Sequence, residues 1–109
     1  MTARVAIVGG GVSGLSAAIS LRRLGVGEVV VHERETDTGG APRHTDHLGF
    51  GMRDLRRVLS GPEYARRLTT IASDAGARLL VSSTVHDLDS LDADAVVLAT
   101  GVRERPRTA

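Results

Sequence analysis

Four short apolar runs punctuate the chain, at Arg4–Val8, Glu28–His32, Arg78–Ser82 and Ala95–Ala99. Their apolar residues are nearly continuous and do not alternate with polar ones, as expected of strands buried on both faces of a parallel sheet. Between the first two runs the period changes. Leu15 and Ile19, with Leu24 continuing the face, predict a helix from Ser13 to Leu24, with Ala18 keeping its sheet side small and Gly25 stopping it. Tyr64, Leu68, Ile71 and Ala72 form a second stripe, predicting a helix from Pro62 to Ala75 that admits Pro62 in its first turn and ends at Gly76. A short helical turn is expected over Met52–Leu59. The polar, glycine-rich stretch from Arg34 to Gly51 reads as a functional loop.

Right-handed crossovers between successive parallel strands place both helices on one face of the sheet. The opposite face is then expected to lie bare, because the link Val85–Asp94, with Asp87, Asp89, Asp92 and Asp94, is short and polar. Strands with apolar residues on both faces therefore call for a further region of polypeptide, or a partner subunit, to cover that side.

The first turn carries the chemistry. The run ending at Val8 feeds Gly9, Gly11 and Gly14, then the first helix, the second apolar run and an acid, Glu33, 19 residues after Gly14. Gly9 allows a tight strand-to-helix turn, Gly11 lets backbone approach a pyrophosphate, and Gly14 lets the helix pack closely on the strand. The pyrophosphate would face the free amides and positive dipole end of the helix near Val12 and Ser13. Glu33, at the end of the second strand, can accept hydrogen bonds from both hydroxyls of an adenosine ribose, which disfavours a 2′-phosphate and hence NADP.

Composition narrows the function. The 109 residues suffice for one small domain, are 41% hydrophobic and carry a formal net charge of +1, so bulk charge points to no polyanion. All 14 basic residues are arginines, and Phe50 and Tyr64 are the only aromatic rings, too few to stack nucleic acid. The absence of cysteine removes disulfides, thiolate metal sites and iron–sulfur ligation from this part of the protein. No apolar run approaches the roughly 20 residues of a membrane span, and no signal-peptide pattern is present, so a cytoplasmic location is expected.

Three motifs in order resemble a known family: the N-terminal signature, the second glycine motif Gly39-Gly40-Ala41-Pro42-Arg43-His44, and the strand Val96-Val97-Leu98-Ala99-Thr100-Gly101. Together they resemble the FAD domain of the glutathione-reductase-like flavoproteins, which pair two dinucleotide-binding domains. The stretch from Gly39 to Leu68 is similar, more narrowly, to the FAD subunits of hydrogen cyanide synthase, opine oxidase and sarcosine oxidase. The resemblance implies an α/β, Rossmann-like parallel sheet of strand order 3-2-1-4 with helices on one face, forming the N-terminal part (1–109) of an incomplete FAD-binding domain. A linker would begin at 102–109. It also implies FAD as cofactor, with NAD(P)H or an equivalent bound in a region not present here, and a small-molecule substrate.

Carried over by residue, the resemblance implies that Gly9, Gly11, Val12, Ser13 and Gly14 hold the pyrophosphate, and that Glu33 holds the ribose with Arg34 beside the adenine end. Gly40 and Arg43 would approach the pyrophosphate and flavin side, and Val85 would meet the adenine through its backbone. Ala99, Thr100 and Gly101 would pass the middle of the FAD. Two departures stand out. A ten-residue acidic link replaces the β-meander the family commonly inserts, and the late segment that closes the family's flavin site is not among these 109 residues.

Other candidates read more simply. His44 and His47 lack a third ligand for a metal, so no metal is expected, and His44 is either a loop residue near the cofactor or a donor to the flavin. Arg43 can pair with phosphate or a flavin carbonyl. Arg22, Arg23, Arg66 and Arg67 read as solvated helix faces, Arg103, Arg105 and Arg107 as a soluble linker, and Ser13 as a helix cap. With no CxxxxC after the second strand, a disulfide reductase is disfavoured. The leading expectation is the FAD-binding part of a flavin-dependent oxidoreductase, with amine or amino-acid oxidation fitting the subgroup and this chain inactive alone. The alternatives are a non-catalytic nucleotide-binding or interaction module, and an NAD-binding domain, which leaves the second and third motifs unexplained.

Overall fold

A computed structural model describes residues 3–39 and 61–100. Strands β1 (Arg4–Val8), β2 (Glu28–His32), β3 (Arg78–Leu80) and β4 (Ala95–Leu98) form one parallel sheet in the order β3-β2-β1-β4. Helix α1 (Val12–Arg23) joins β1 to β2, and helix α2 (Gly61–Asp74) precedes β3. The fold is the expected Rossmann-like sheet. Because β1 pairs with both β2 and β4, Ile7 lies opposite Val31 on one side and Val97 on the other.

Both helices pack on one face, as right-handed crossovers require. Val5, Ile7, Val29 and Val31 point into a core with Leu15, Ala18 and Ile19 of α1 and Tyr64, Leu68 and Ala72 of α2. Each helix ends in the same way. Gly25 (φ +93°) donates to the Arg22 carbonyl while Val26 donates to that of Leu21; Gly76 (φ +99°) and Ala77 repeat the pattern on Ser73 and Ala72. These paired bonds satisfy carbonyls that a helix end leaves open, and the left-handed residue they need explains both glycines.

Several details differ from the sequence reading. Leu24 does not continue the apolar face: the helix stops at Arg23, and Leu24, at the turn, is 81% exposed. Arg22 is not a solvated residue. Its guanidinium donates to the carbonyls of Ala75, Val26 and Gly27. β3 ends two residues early, because Ser82 takes a left-handed conformation (φ +49°) and its amide turns to the Glu35 carbonyl. The expected turn at Met52–Leu59 lies outside the described residues.

The face away from the helices is not wholly bare. The Asp94 side chain accepts from the Arg4 amide, the Asp94 amide donates to the Arg4 carbonyl, and the Arg4 guanidinium pairs with Glu28 and Asp92. These bonds draw the acidic link, with its 3-10 turn Leu88–Ser90, across the sheet. Leu91 and Asp92 of the link, with Ala6, Val30 and His32 of the sheet, line a cleft of about 260 Å³. The same two carboxylates raise the Arg4 pKa above its ordinary value, Glu28 contributing most. Ala6 is buried beneath this cover, whereas Leu98 remains 64% exposed at the sheet's edge. No helix among the described residues is long and apolar enough to cross a membrane.

Candidate functional site

The expected site residues that fall within the described chain gather at the C-terminal edge of the sheet, where ligands bind in open α/β sheets. Gly9 takes φ +115°, and a Cβ there would stand 2.1 Å from the Ala99 carbonyl oxygen and 3.0 Å from the Thr100 Cα. Only glycine admits that approach, and it brings the first and third motifs into contact. Ala99 is also fixed by its amide, which donates to the Val8 carbonyl at 2.8 Å. A Cβ on Gly14 would lie 1.8 Å from the Gly9 carbonyl oxygen, so this glycine lets α1 seat on the turn.

The α1 N-terminus is left open. Its N-cap is Gly11, which has no side chain to offer, and Leu15, donating to the Gly11 carbonyl at 2.9 Å, is the first residue to close a helical turn. Among the described residues the amides of Val12, Ser13 and Gly14 have no acceptor. Ser13 is therefore not the cap read from the sequence; it is exposed within the first turn. An uncapped helix start with three open donors favours an anion.

Glu33 is 9% exposed at the end of β2. Its Oε1 accepts from the Gly10 amide and its Oε2 from the Glu35 amide, each at 2.9 Å. Its backbone is held as well, by Leu80 and Ser83. Gly10 in turn accepts from the Gly39 amide at 2.7 Å, which ties the start of the second glycine motif to the first. Gly39 (φ +116°) is pressed against α2, where a Cβ would meet the Ala65 Cβ at 2.5 Å, and the buried Thr38 shares a 2.7 Å hydroxyl hydrogen bond with Thr69.

Gly10, Thr38 and Gly39 carry this arrangement, and the sequence reading passed over them as site residues. The signal available was the unbroken run Gly9-Gly10-Gly11, in which the middle glycine had no stated purpose. Arg34 is exposed beside Glu33, and Val85 is half-buried just past Ser83, so both lie on the β2–β3 side of the turn. Gly40, Arg43, His44, His47, Gly101, Arg103, Arg105 and Arg107 lie outside the described residues.

The donor set fits a dinucleotide. Open helix amides suit a pyrophosphate, glycines that admit no Cβ form its bed, and each oxygen of the Glu33 carboxylate keeps a lone pair beyond the one its backbone donor occupies. Comparison with known proteins agrees. The pyridine nucleotide-disulphide oxidoreductase family matches residues 3–109. The probable oxidoreductase OrdL of Rhizobium meliloti (strain 1021) is 33% identical over 80% of this chain, which spans about a fifth (21%) of that relative's length. Thioredoxin reductase from Streptococcus pyogenes MGAS5005 shares the fold with a TM-score of 0.76 at 20% identity, over 96% of this chain and 37% of that one. The 6-hydroxypseudooxynicotine amine oxidase of Pseudomonas geniculata N1 does so with a TM-score of 0.60 at 23% identity, over 92% and 14%. The family match favours a flavoprotein over a non-catalytic module, although the cysteine-free chain supplies none of the disulphide in the family's name. This chain belongs to the pyridine nucleotide-disulphide oxidoreductases, a family of flavoproteins whose cofactor is FAD.

Proposed function

We propose that residues 1–109 form the N-terminal part of the FAD-binding domain of a flavin-dependent oxidoreductase. The observation that carries this reading is the contact between Gly9 and Ala99–Thr100, which joins the first glycine turn to the third motif at the sheet edge where Glu33 also lies. The amides of Gly11, Val12, Ser13 and Gly14 hold the pyrophosphate. Glu33 takes the adenosine ribose, with Arg34 and Val85 on the adenine side. Gly40, Arg43, Ala99, Thr100 and Gly101 line the path toward the flavin. FAD, when bound, supplies hydride transfer; the chain supplies its position and electrostatics.

The whole protein's chemistry is the oxidation of a small-molecule substrate, with NAD(P)H or an equivalent served by another region. Amine or amino-acid oxidation is supported by the subgroup resemblance of the Gly39–Leu68 stretch, and the Pseudomonas neighbour is itself an amine oxidase. A later region of the polypeptide, entered through 102–109, or a partner subunit covers the sheet around Leu98. This stretch alone turns over no substrate, binds no nucleic acid, its Phe50 and Tyr64 being too few rings to stack bases, and works in the cytoplasm.

The test is the colour of the full-length protein. It should purify yellow, with flavin absorbance lost in Gly14→Val. Stoichiometric NAD with no flavin would overturn the assignment.

A further inference from the structure

We propose that Glu33 is a positioning residue for the glycine turn as well as a ribose acceptor, clamping Gly10 before any cofactor arrives. The inference rests on the dinucleotide reading of this site. Glu33 gives one lone pair of each oxygen to backbone amides of its own chain, to Gly10 and to Glu35, while 9% exposed. Its main chain is fixed by the Leu80 carbonyl and the Ser83 amide.

Two consequences follow from these bonds. The Gly10 amide is withdrawn from any incoming phosphate, which leaves the open donors at Val12, Ser13 and Gly14 to receive it. The carbonyl of the same residue, in the next peptide plane, receives the Gly39 amide, so the residue that Glu33 clamps also holds the second glycine motif against the first. The packing leaves little slack: a Cβ on Gly10 would stand 3.0 Å from both the Glu33 Cβ and the Thr38 Cγ2. The adenine half that this frame accepts is a nucleoside diphosphate with free ribose hydroxyls, each met by a remaining lone pair of a carboxylate already held in place.

The clamp and the hydroxyl contact separate in a ligand that has no hydroxyls to offer. Full-length protein stripped of flavin is titrated with ADP and with 2′,3′-dideoxyadenosine 5′-diphosphate, as wild type and as Glu33→Gln, which keeps one acceptor oxygen and sets an NH₂ group against the remaining backbone donor. If Glu33 positions the turn, Glu33→Gln weakens the dideoxy ligand about fivefold, the order expected for one mispaired buried donor. Removing a negative charge beside a diphosphate would by itself tighten binding, so such a loss cannot come from charge. Equal dideoxy affinity in the two proteins would overturn the clamp.

Hydrogen exchange of the Gly10 amide in the flavin-free protein reads the clamp without any ligand. It should quicken at least fivefold in Glu33→Gln, and equal rates would overturn the proposal. Should Glu33→Gln fail to fold, Gly10→Ala takes its place, with ADP and its dideoxy form weakened alike if the turn is held by this packing and neither weakened if it is not. Failure of wild type to bind ADP would strike the dinucleotide reading, and the exchange rates would still decide the clamp.

Discussion

The Nε of Arg22 donates to the carbonyl of Ala75 at 2.9 Å, so a side chain of α1 closes the C-terminal end of α2. The same guanidinium reaches the carbonyls of Val26 and Gly27, and lies so close to Gly76 that a Cβ there would stand 2.7 Å from its Nη2. One planar fork thus locks both helix ends beside β2. Arg22→Ala should lower stability by about 1–3 kcal/mol, since it strands half-buried carbonyls, and Arg22→Lys should recover only part of that because a single ammonium cannot match the fork. Urea unfolding of the full-length protein measures both.

Glycines in this chain should separate sharply by what surrounds them. Gly9→Ala places a Cβ 2.1 Å from the Ala99 carbonyl oxygen at φ +115°, and is expected to abolish flavin retention and loosen the β1–β4 pairing. Gly25→Ala has the same handedness problem (φ +93°) but meets nothing within 4 Å. It should cost about 1 kcal/mol of backbone strain and leave flavin bound. Flavin absorbance and far-ultraviolet circular dichroism, taken together, distinguish the two.

Thr38 and Thr69 share a hydroxyl hydrogen bond at 2.7 Å, with Thr38 buried. Thr38→Val leaves Thr69 without that partner and should destabilise by about 1 kcal/mol. The double replacement Thr38→Val, Thr69→Val should be closer to wild type, as expected when both polar partners go together. Thermal melting of wild type, Thr38→Val, Thr69→Val and the double variant completes the cycle.

Leu98, 64% exposed on β4, reports on what covers the second face of the sheet. In the full-length protein Leu98→Asp should lower stability by at least about 1.5–3 kcal/mol, the value of burying a leucine. A neutral effect on the melting temperature would show that this face stays open to water and would remove the proposed covering region.

Much of this arrangement is legible in the sequence. The bounds of β1 and β2 follow from their apolar runs, and the stripe Tyr64, Leu68, Ala72 faces the core as its spacing predicts. Gly9, Gly14, Glu33, Ala99 and Thr100 converge because motif spacing in a parallel sheet constrains which ends meet. What escaped was set by side-chain reach and by single backbone bonds, neither of which has a period. Arg22 sits on a polar helix face in projection, yet its length carries it to the neighbouring helix. Leu24 fits the apolar spacing, but the helix ends before it can be placed. The acidic link looked unable to shield the sheet because its charges suggested solvent, whereas Arg4 draws Asp92 and Asp94 down and Leu91 with them.

The contact of Gly9 with Ala99 also sets an order of events. Strand β4 is the last of the described strands, yet its place is beside β1, the first, with Ala99 donating to Val8 across about ninety residues of intervening chain. During synthesis the glycine turn, Glu33 and Gly39 leave the ribosome long before the strand that walls them in, and pairings so distant in sequence form slowly. A nascent chain therefore has only a half-built cradle until β4 has emerged. On the proposed reading, flavin waits for Ala99 and Thr100, so cofactor loading would report that this sheet has closed.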